Sequence, residues 1–281
     1  MAFESLSDSL LGFYGTFAAP HRGRDRLVAM MSARACRRWT GMRTFRRRGI
    51  RLRTDLSVDD VGRTLYSYGC LDYWDEKALG GLVPPGGVAF DVGAHIGFYS
   101  LLLARLVGTE GRVVSYEPVP YTHALLRANL RRNAARNVLA RPVAVGAHAA
   151  PVRIAPAPGG RLGWSRIDAA GELAAASTTL DAEVERLQIP RVDFIKIDVE
   201  GYEREVLTGA QMILRRDRPV VMYEINPRAL AAHGTSERKL AAFFLDQGYA
   251  LYRAGRKGLT PTDGAATESY SNAFAIPRAP R

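Results

Sequence analysis

The chain has 281 residues, 47% hydrophobic and 24% charged, which is enough length and apolar content to bury a core. That balance excludes a disordered or fibrous chain, and no apolar run reaches the roughly 18 residues of a membrane span. The net charge of +11 is unevenly placed: residues 1–54 hold twelve arginines against Glu4, Asp8 and Asp25, an excess of nine, which leaves two for the rest of the chain.

In chain order, a helix is expected around Arg24–Arg38, then an arginine cluster at Arg46-Arg47-Arg48, then an alternating strand Ile50–Leu56. Pro84-Pro85-Gly86-Gly87 punctuates the junction with the next unit, so residues 1–85 read as a basic layer (a lid, substrate contact or dimer contact) and 86–281 as the main domain. From there strand-length apolar runs alternate with helical stretches, the pattern of a parallel α/β sheet. The strands are Val88–Val92, Arg112–Tyr116, Val138–Val145, Asp193–Ile197 and Val220–Ile225, followed by Tyr249–Arg253 and a closing strand at Asn272–Ile276. Helices fall at 96–106, Tyr121–Ala135 and Ser236–Gln247. Residues 155–177, rich in Ala, Gly and Pro and containing Trp164, suggest a hairpin or excursion over the sheet. The first charges, Glu4 and Asp8, are unlike the basic start of a signal peptide. Cys36 and Cys70 fit neither a disulfide framework nor a zinc site. A cytoplasmic chain with no membrane partner is expected.

Asp91-Val92-Gly93-Ala94-His95-Ile96-Gly97 lies between the first strand and a helix, at the sheet edge where open α/β folds bind ligands. Its G-x-x-x-G spacing differs from the dinucleotide fingerprint. Asp91 would repel a pyrophosphate and accept a hydrogen bond from an ammonium or a ribose, while Gly93 would let the backbone approach a ligand closely. Glu117 ends the next strand, where a carboxylate can bind both ribose hydroxyls. Together they describe a pocket for an adenosine with a cationic tail, which S-adenosylmethionine fits. A purely structural strand-to-helix turn is the competing reading.

FDVGAHIGFYS, YEPVP, TTLD and DFIKIDVEGYEREVLTGA, with YSYGCLDYWDE upstream, resemble the FkbM family of S-adenosylmethionine-dependent methyltransferases over residues 63–276. The resemblance implies a class I methyltransferase Rossmann-like fold: a seven-stranded, mostly parallel sheet with a reversed last strand. It also implies O-methylation of a small-molecule hydroxyl, often on a sugar or polyketide-type product. Carried over by position, Asp91, Gly93, Ala94 and Gly97 form the cofactor loop, Glu117 holds the ribose, and Ala144 and Val145 line the adenine. His95 stands where many members have Asn, and Ala147 and His148 follow Gly146 where an Asp is usual.

Catalytic groups belong at the carboxyl ends of the central strands. Asp198 ends the fourth strand with Glu200 beyond it; Glu224 and Asn226 end the fifth. Asp198, Glu224 and His95 are the catalytic candidates. Asp198, Glu224 and Asn226 together resemble the metal site of catechol-type O-methyltransferases, and such oxygen ligands suit Mg²⁺. Alternatively Asp198 binds the cofactor's amino group and Glu200 caps the helix that follows. The basic layer is read first as a solvated face or homodimer contact, because its arginines have no interleaved aromatics to stack bases. A nucleic-acid-binding or nucleic-acid-modifying methyltransferase is the alternative function, and a fold that binds cofactor without turnover is a third.

Overall fold

The computed structural model describes residues 40–155, 165–265 and 270–278. The expected helix at Arg24–Arg38, Cys36 and Trp164 lie outside them. A hairpin comes first, β1 (Met42–Arg47) and β2 (Ile50–Asp55), followed by helices α1 (Asp60–Tyr68) and α2 (Tyr73–Leu82). The main domain then runs β3 (Val88–Val92), α3 (Phe98–Val107), β4 (Arg112–Tyr116), α4 (Pro120–Arg132) and β5 (Val138–Arg141). A short excursion follows: β6 (Ala144–Val145), β7 (Val152–Ala155), β8 (Arg166–Ile167), β9 (Leu173–Ala175) and β10 (Ser177–Thr178). The chain continues with α5 (Leu180–Arg186), β11 (Phe194–Ile197), α6 (Glu203–Thr208), α7 (Gln211–Arg216) and β12 (Val220–Ile225). It closes with α8 (Pro227–Ala232), α9 (Glu237–Asp246), β13 (Tyr249–Gly255), β14 (Gly258–Thr262) and β15 (Ser271–Pro277).

The principal sheet has the order β14-β13-β15-β12-β11-β3-β4-β5. Its parallel strands are interrupted by β15, which inserts antiparallel between β12 and β13, and the edge strand β14 also runs antiparallel to β13. This is the order of a class I methyltransferase sheet, and the seven expected strands are all present. An eighth, β14, extends the edge through a turn at Arg256-Lys257, where the sequence offers no apolar run to mark it. Each central strand is buried on both faces. Ala89 and Phe194 face a core shared with the hairpin and α3, whereas Phe90 and Ile195 face the core under α5 to α9. Such two-sided burial is why these runs read as continuously apolar.

The expected strand Val138–Val145 is two strands. Pro142 has no N–H to donate to the ladder, so β5 stops at Arg141 and β6 pairs instead with β10. The excursion is real: β7 pairs antiparallel with both β8 and β9.

The basic layer packs into the same core as the sheet, through Phe45, Ile50, Leu52, Leu56 and Leu65. Two asparagines close the outer edge of β2. The Asn129 carboxamide accepts from Arg53 N (2.8 Å) and donates to Arg53 O (3.1 Å), and Asn133 does the same for Arg51. Asn129 Nδ2 also donates to Ile96 O at 2.9 Å, inside the strand-to-helix turn. Asn129 is fully buried. Asn129→Ala strands several buried backbone groups, and is expected to cost about 2–4 kcal/mol in a denaturant titration; a loss below about 0.5 kcal/mol would mean that the hairpin is held by its apolar face alone.

Candidate active site

A cavity of about 410 Å³ opens at the carboxyl ends of β3, β4 and β11, within the size range of small-molecule sites. The floor is the turn after β3. Gly93 N and Ala94 N both donate to Tyr116 O at 3.0 Å, which binds the turn to β4. His95 has φ +49°, a left-handed backbone that Asn and His tolerate better than most residues, so its substitution for Asn leaves the turn intact.

Glu117 ends β4 and enters the cavity wall. Its Oε2 accepts from His95 N (2.9 Å), and its Oε1 from Val119 N (2.9 Å) and Thr122 Oγ1 (2.8 Å). The carboxylate is therefore fixed in direction before any ligand arrives. Gly93, Ala94, His95, Ala144, Val145, Asp198 and Asn226 also line the cavity. From the basic layer, Asp60, Val61 and Thr64 of α1 and Leu71 and Asp72 beside α2 complete the wall.

Three expected residues stand elsewhere. Asp91 does not reach the wall: it is fully buried, accepting from Ser100 Oγ at 2.6 Å and facing Lys196 Nζ at 3.7 Å. Gly97 caps α3 at φ +89°, and a β-carbon there would lie 2.5 Å from Leu126 Cδ1. Glu224 lies behind the wall, 1% exposed. Gly93 lines the cavity, but its lack of a side chain serves packing rather than ligand approach, since a β-carbon would fall 1.8 Å from Asp198 O.

Sequence reasoning gave Lys196 no role. Yet it sits at the centre of the site, in register with Asp91 and two residues before Asp198. Its ammonium is 3.0 Å from Asp198 Oδ2 and lies over the Tyr99 ring, 4.9 Å from the centroid. Burial works to neutralise Lys196, but Asp198 and Asp91 outweigh it and hold its pKa above the usual lysine value.

Around this buried cation the carboxyls are crowded. Burial, then the charge of Asp198, pushes Glu200 up to about 8. Burial takes Glu203, Asp75 and Glu76 each to about 7 and raises Asp72 and Glu224 as well. Neither oxygen of Glu224 has a partner of regular hydrogen-bond geometry, the nearby Tyr270 phenol lending it only a weak contact. Asp198, Glu200 and Glu224 each offer an oxygen, all within 4.8 Å of one another. Asn226 stands beside them: its Oδ1 caps α8 by accepting from Ala229 N, and its Nδ2 donates to Glu200 at 3.3 Å. The His95 ring also stands apart from these acids' hydrogen bonds, with Nε2 3.9 Å from Asp59 and neither ring nitrogen hydrogen-bonded.

The Methyltransferase FkbM domain family matches residues 91–251. The chain belongs to that family. A hexuronic acid methyltransferase of Haloferax volcanii is 30% identical over 122 residues, which are 43% of this chain and 49% of that protein; this chain thus matches about half of the relative's length. Among solved structures, a methyltransferase FkbM of Methylobacillus flagellatus is 15% identical, with 96% of this chain and 58% of that one covered and a TM-score of 0.48. A precorrin-6y C5,15-methyltransferase of Geobacter metallireducens is 14% identical, covering 72% and 87%, with a TM-score of 0.44. Among the described residues no helix is long and apolar enough to cross a membrane.

A carboxyl with a raised folded pKa binds a proton that the unfolded chain has lost, so stability falls as pH rises between the two values. For Asp75, whose amide partner Asn272 survives the change, that window runs from the ordinary aspartate value up to about 7. Asp75→Asn is therefore expected to lose less thermal stability than the parent between pH 4.5 and 7.5, histidine titrations being common to both. Parallel melting curves with pH would remove Asp75 from this account.

Proposed function

We propose that the protein is an S-adenosylmethionine-dependent O-methyltransferase acting on a hydroxyl of a small molecule, a sugar-containing or polyketide-type acceptor. The observation that carries the reading is Glu117, a carboxylate locked by three hydrogen bonds at the end of β4 and facing a cavity lined by further acids. A pocket of that sign suits a ligand bearing a ribose, an ammonium and a sulfonium. Glu117 would hold the ribose hydroxyls, and Ala144 and Val145 would form the apolar wall against the adenine. The cofactor supplies an activated methyl group; the chain supplies position and proton handling.

Asp198 is the carboxylate best placed to meet the acceptor, because it lines the cavity while Lys196 fixes its Oδ2. It would orient the hydroxyl and take its proton. His95 is the second candidate, with two unbonded ring nitrogens at the same cavity. Asp198, Glu200 and Glu224 have the oxygen-only chemistry of a hard divalent cation site such as Mg²⁺, and the buried Glu224 carboxylate, with no ion pair among the described residues and only the weak contact of the Tyr270 phenol, supports that fit. A cation there would lower the pKa of the acceptor hydroxyl. The hexuronic acid relative favours a sugar-like acceptor, whose vicinal hydroxyls chelate such an ion.

Glu117→Ala is expected to weaken S-adenosylmethionine binding by about 1.5–3 kcal/mol for each charge-assisted bond lost, read by calorimetry on protein whose melting temperature is also recorded. Unchanged affinity in a folded variant would remove Glu117 from the cofactor site. Asp198→Asn is expected to cut turnover roughly 10²–10⁴-fold with cofactor affinity retained. Chelator should stop methylation and Mg²⁺ restore it; activity that survives EDTA ends the metal assignment and leaves Asp198 or His95 as a metal-free base.

A further inference from the structure

A protein surface can meet a bilayer without any helix that crosses it. On the outer face of the hairpin, Arg46 stands directly across from Arg51, and Thr44 across from Arg53. All four side chains are exposed, while Phe45, Ile50 and Leu52 between them point into the core. Like charges directly opposed across a strand pair are unfavourable. Arg105 adds a further guanidinium at the turn end, donating to Arg48 O at 2.7 Å and feeling the charge of Arg46. Arg46 itself donates to Gly49 O. None of Arg46, Arg51, Arg53 or Arg105 has a carboxylate partner among the described residues, whereas Arg48, Arg141, Arg186 and Arg253 are all ion-paired.

The other end of the same face exposes two large side chains with apolar bodies, beside Asp55, which stands across from Met42. Met42, 40% exposed, touches Tyr121, 45% exposed, with the phenol oxygen 3.9 Å from Sδ. Tyr121 follows Pro118 and Val119, which line the cavity. The basic cluster, the apolar pair and the mouth of the site therefore succeed one another along one side of the molecule.

We infer that this face docks on an anionic lipid surface. The four guanidiniums meet headgroup phosphates, Met42 and Tyr121 seat at the headgroup boundary, and the cavity mouth is carried to the membrane. Clustered arginines gain from an anionic leaflet, and a tyrosine with an exposed apolar neighbour is suited to the interface. A nucleic acid would find no aromatic among these arginines on which to stack a base, and its backbone has nothing to cover Met42. The docking does not depend on which reaction the cavity performs.

The test is co-sedimentation of the full chain with vesicles of phosphatidylcholine, with and without phosphatidylglycerol. Binding is expected only to the anionic vesicles and should weaken with salt. Reversing Arg46, Arg51 and Arg53 together to Glu should lower the partition coefficient by more than tenfold, since each arginine near an anionic surface is worth about fivefold. Met42→Ser should lower it without changing the salt dependence, and Lys257→Glu, on the β13–β14 turn, should leave it unchanged. Each variant is first checked for the parent's melting temperature. Equal binding to both vesicle types, binding to neither, or a triple variant that binds like the parent would overturn the proposal. So would a triple variant that loses affinity for RNA at physiological salt while the parent ignores vesicles.

Discussion

Lys196 places an ammonium in the middle of a central strand, 3% exposed, and a buried charge is tolerated only when it is answered. Much of the site follows from how it is answered. Asp91 faces it from the neighbouring strand and is in turn steadied by Ser100, whose hydroxyl also receives that of Ser115. The start of α3 is thereby tied to β3 and β4 beneath it. Asp198 answers the same ammonium from the cavity side, and Tyr99 covers it with the negative face of its ring. Gly93 must stay without a side chain because the turn passes against Asp198's carbonyl. One cation thus fixes a turn, a helix start and a carboxylate of the cavity wall.

Outside that arrangement the acids exceed the cations. Glu200, Glu203 and Glu224 have no buried base of their own, and Glu200 also sits at φ +54°. Strained backbone and unanswered polar groups persist where the surrounding structure over-determines them, and they gather at functional sites. Their electrostatic cost falls on the stability of the fold, and a positive charge placed among them would offset it.

The sheet was largely legible in the sequence because its strands are buried on both faces and end at glycine turns or charged residues; Val88–Val92, Arg112–Tyr116 and Val220–Ile225 match residue for residue. What escaped was set by single residues or by partners distant in sequence. Pro142 diverts a strand that its apolar run would have continued. β1 and β14 are edge strands whose polar composition carries no periodic signal. Within the site, Glu117 and Asp198 were found at strand ends, where position alone decides. Lys196 was not, although a lysine inside a run otherwise fit to be buried on both faces, two residues before an acid, was a signal available without coordinates. That Asp91 and Gly97 lie off the cavity wall could not be read from spacing, because it follows from Ser100, Lys196 and Leu126, contacts that only the fold creates.

Asn129 joins two parts of the molecule that face different surroundings. One carboxamide holds Arg53 of the hairpin on one side and the carbonyl of Ile96, within the turn under the cavity, on the other. Ordering either part spends entropy that the other then need not spend again. Coupling of this kind is reciprocal. Were a ligand on the hairpin to alter the affinity of one in the cavity, the second would alter the first by the same factor, and the Asn129 carboxamide is a contact shared by both parts.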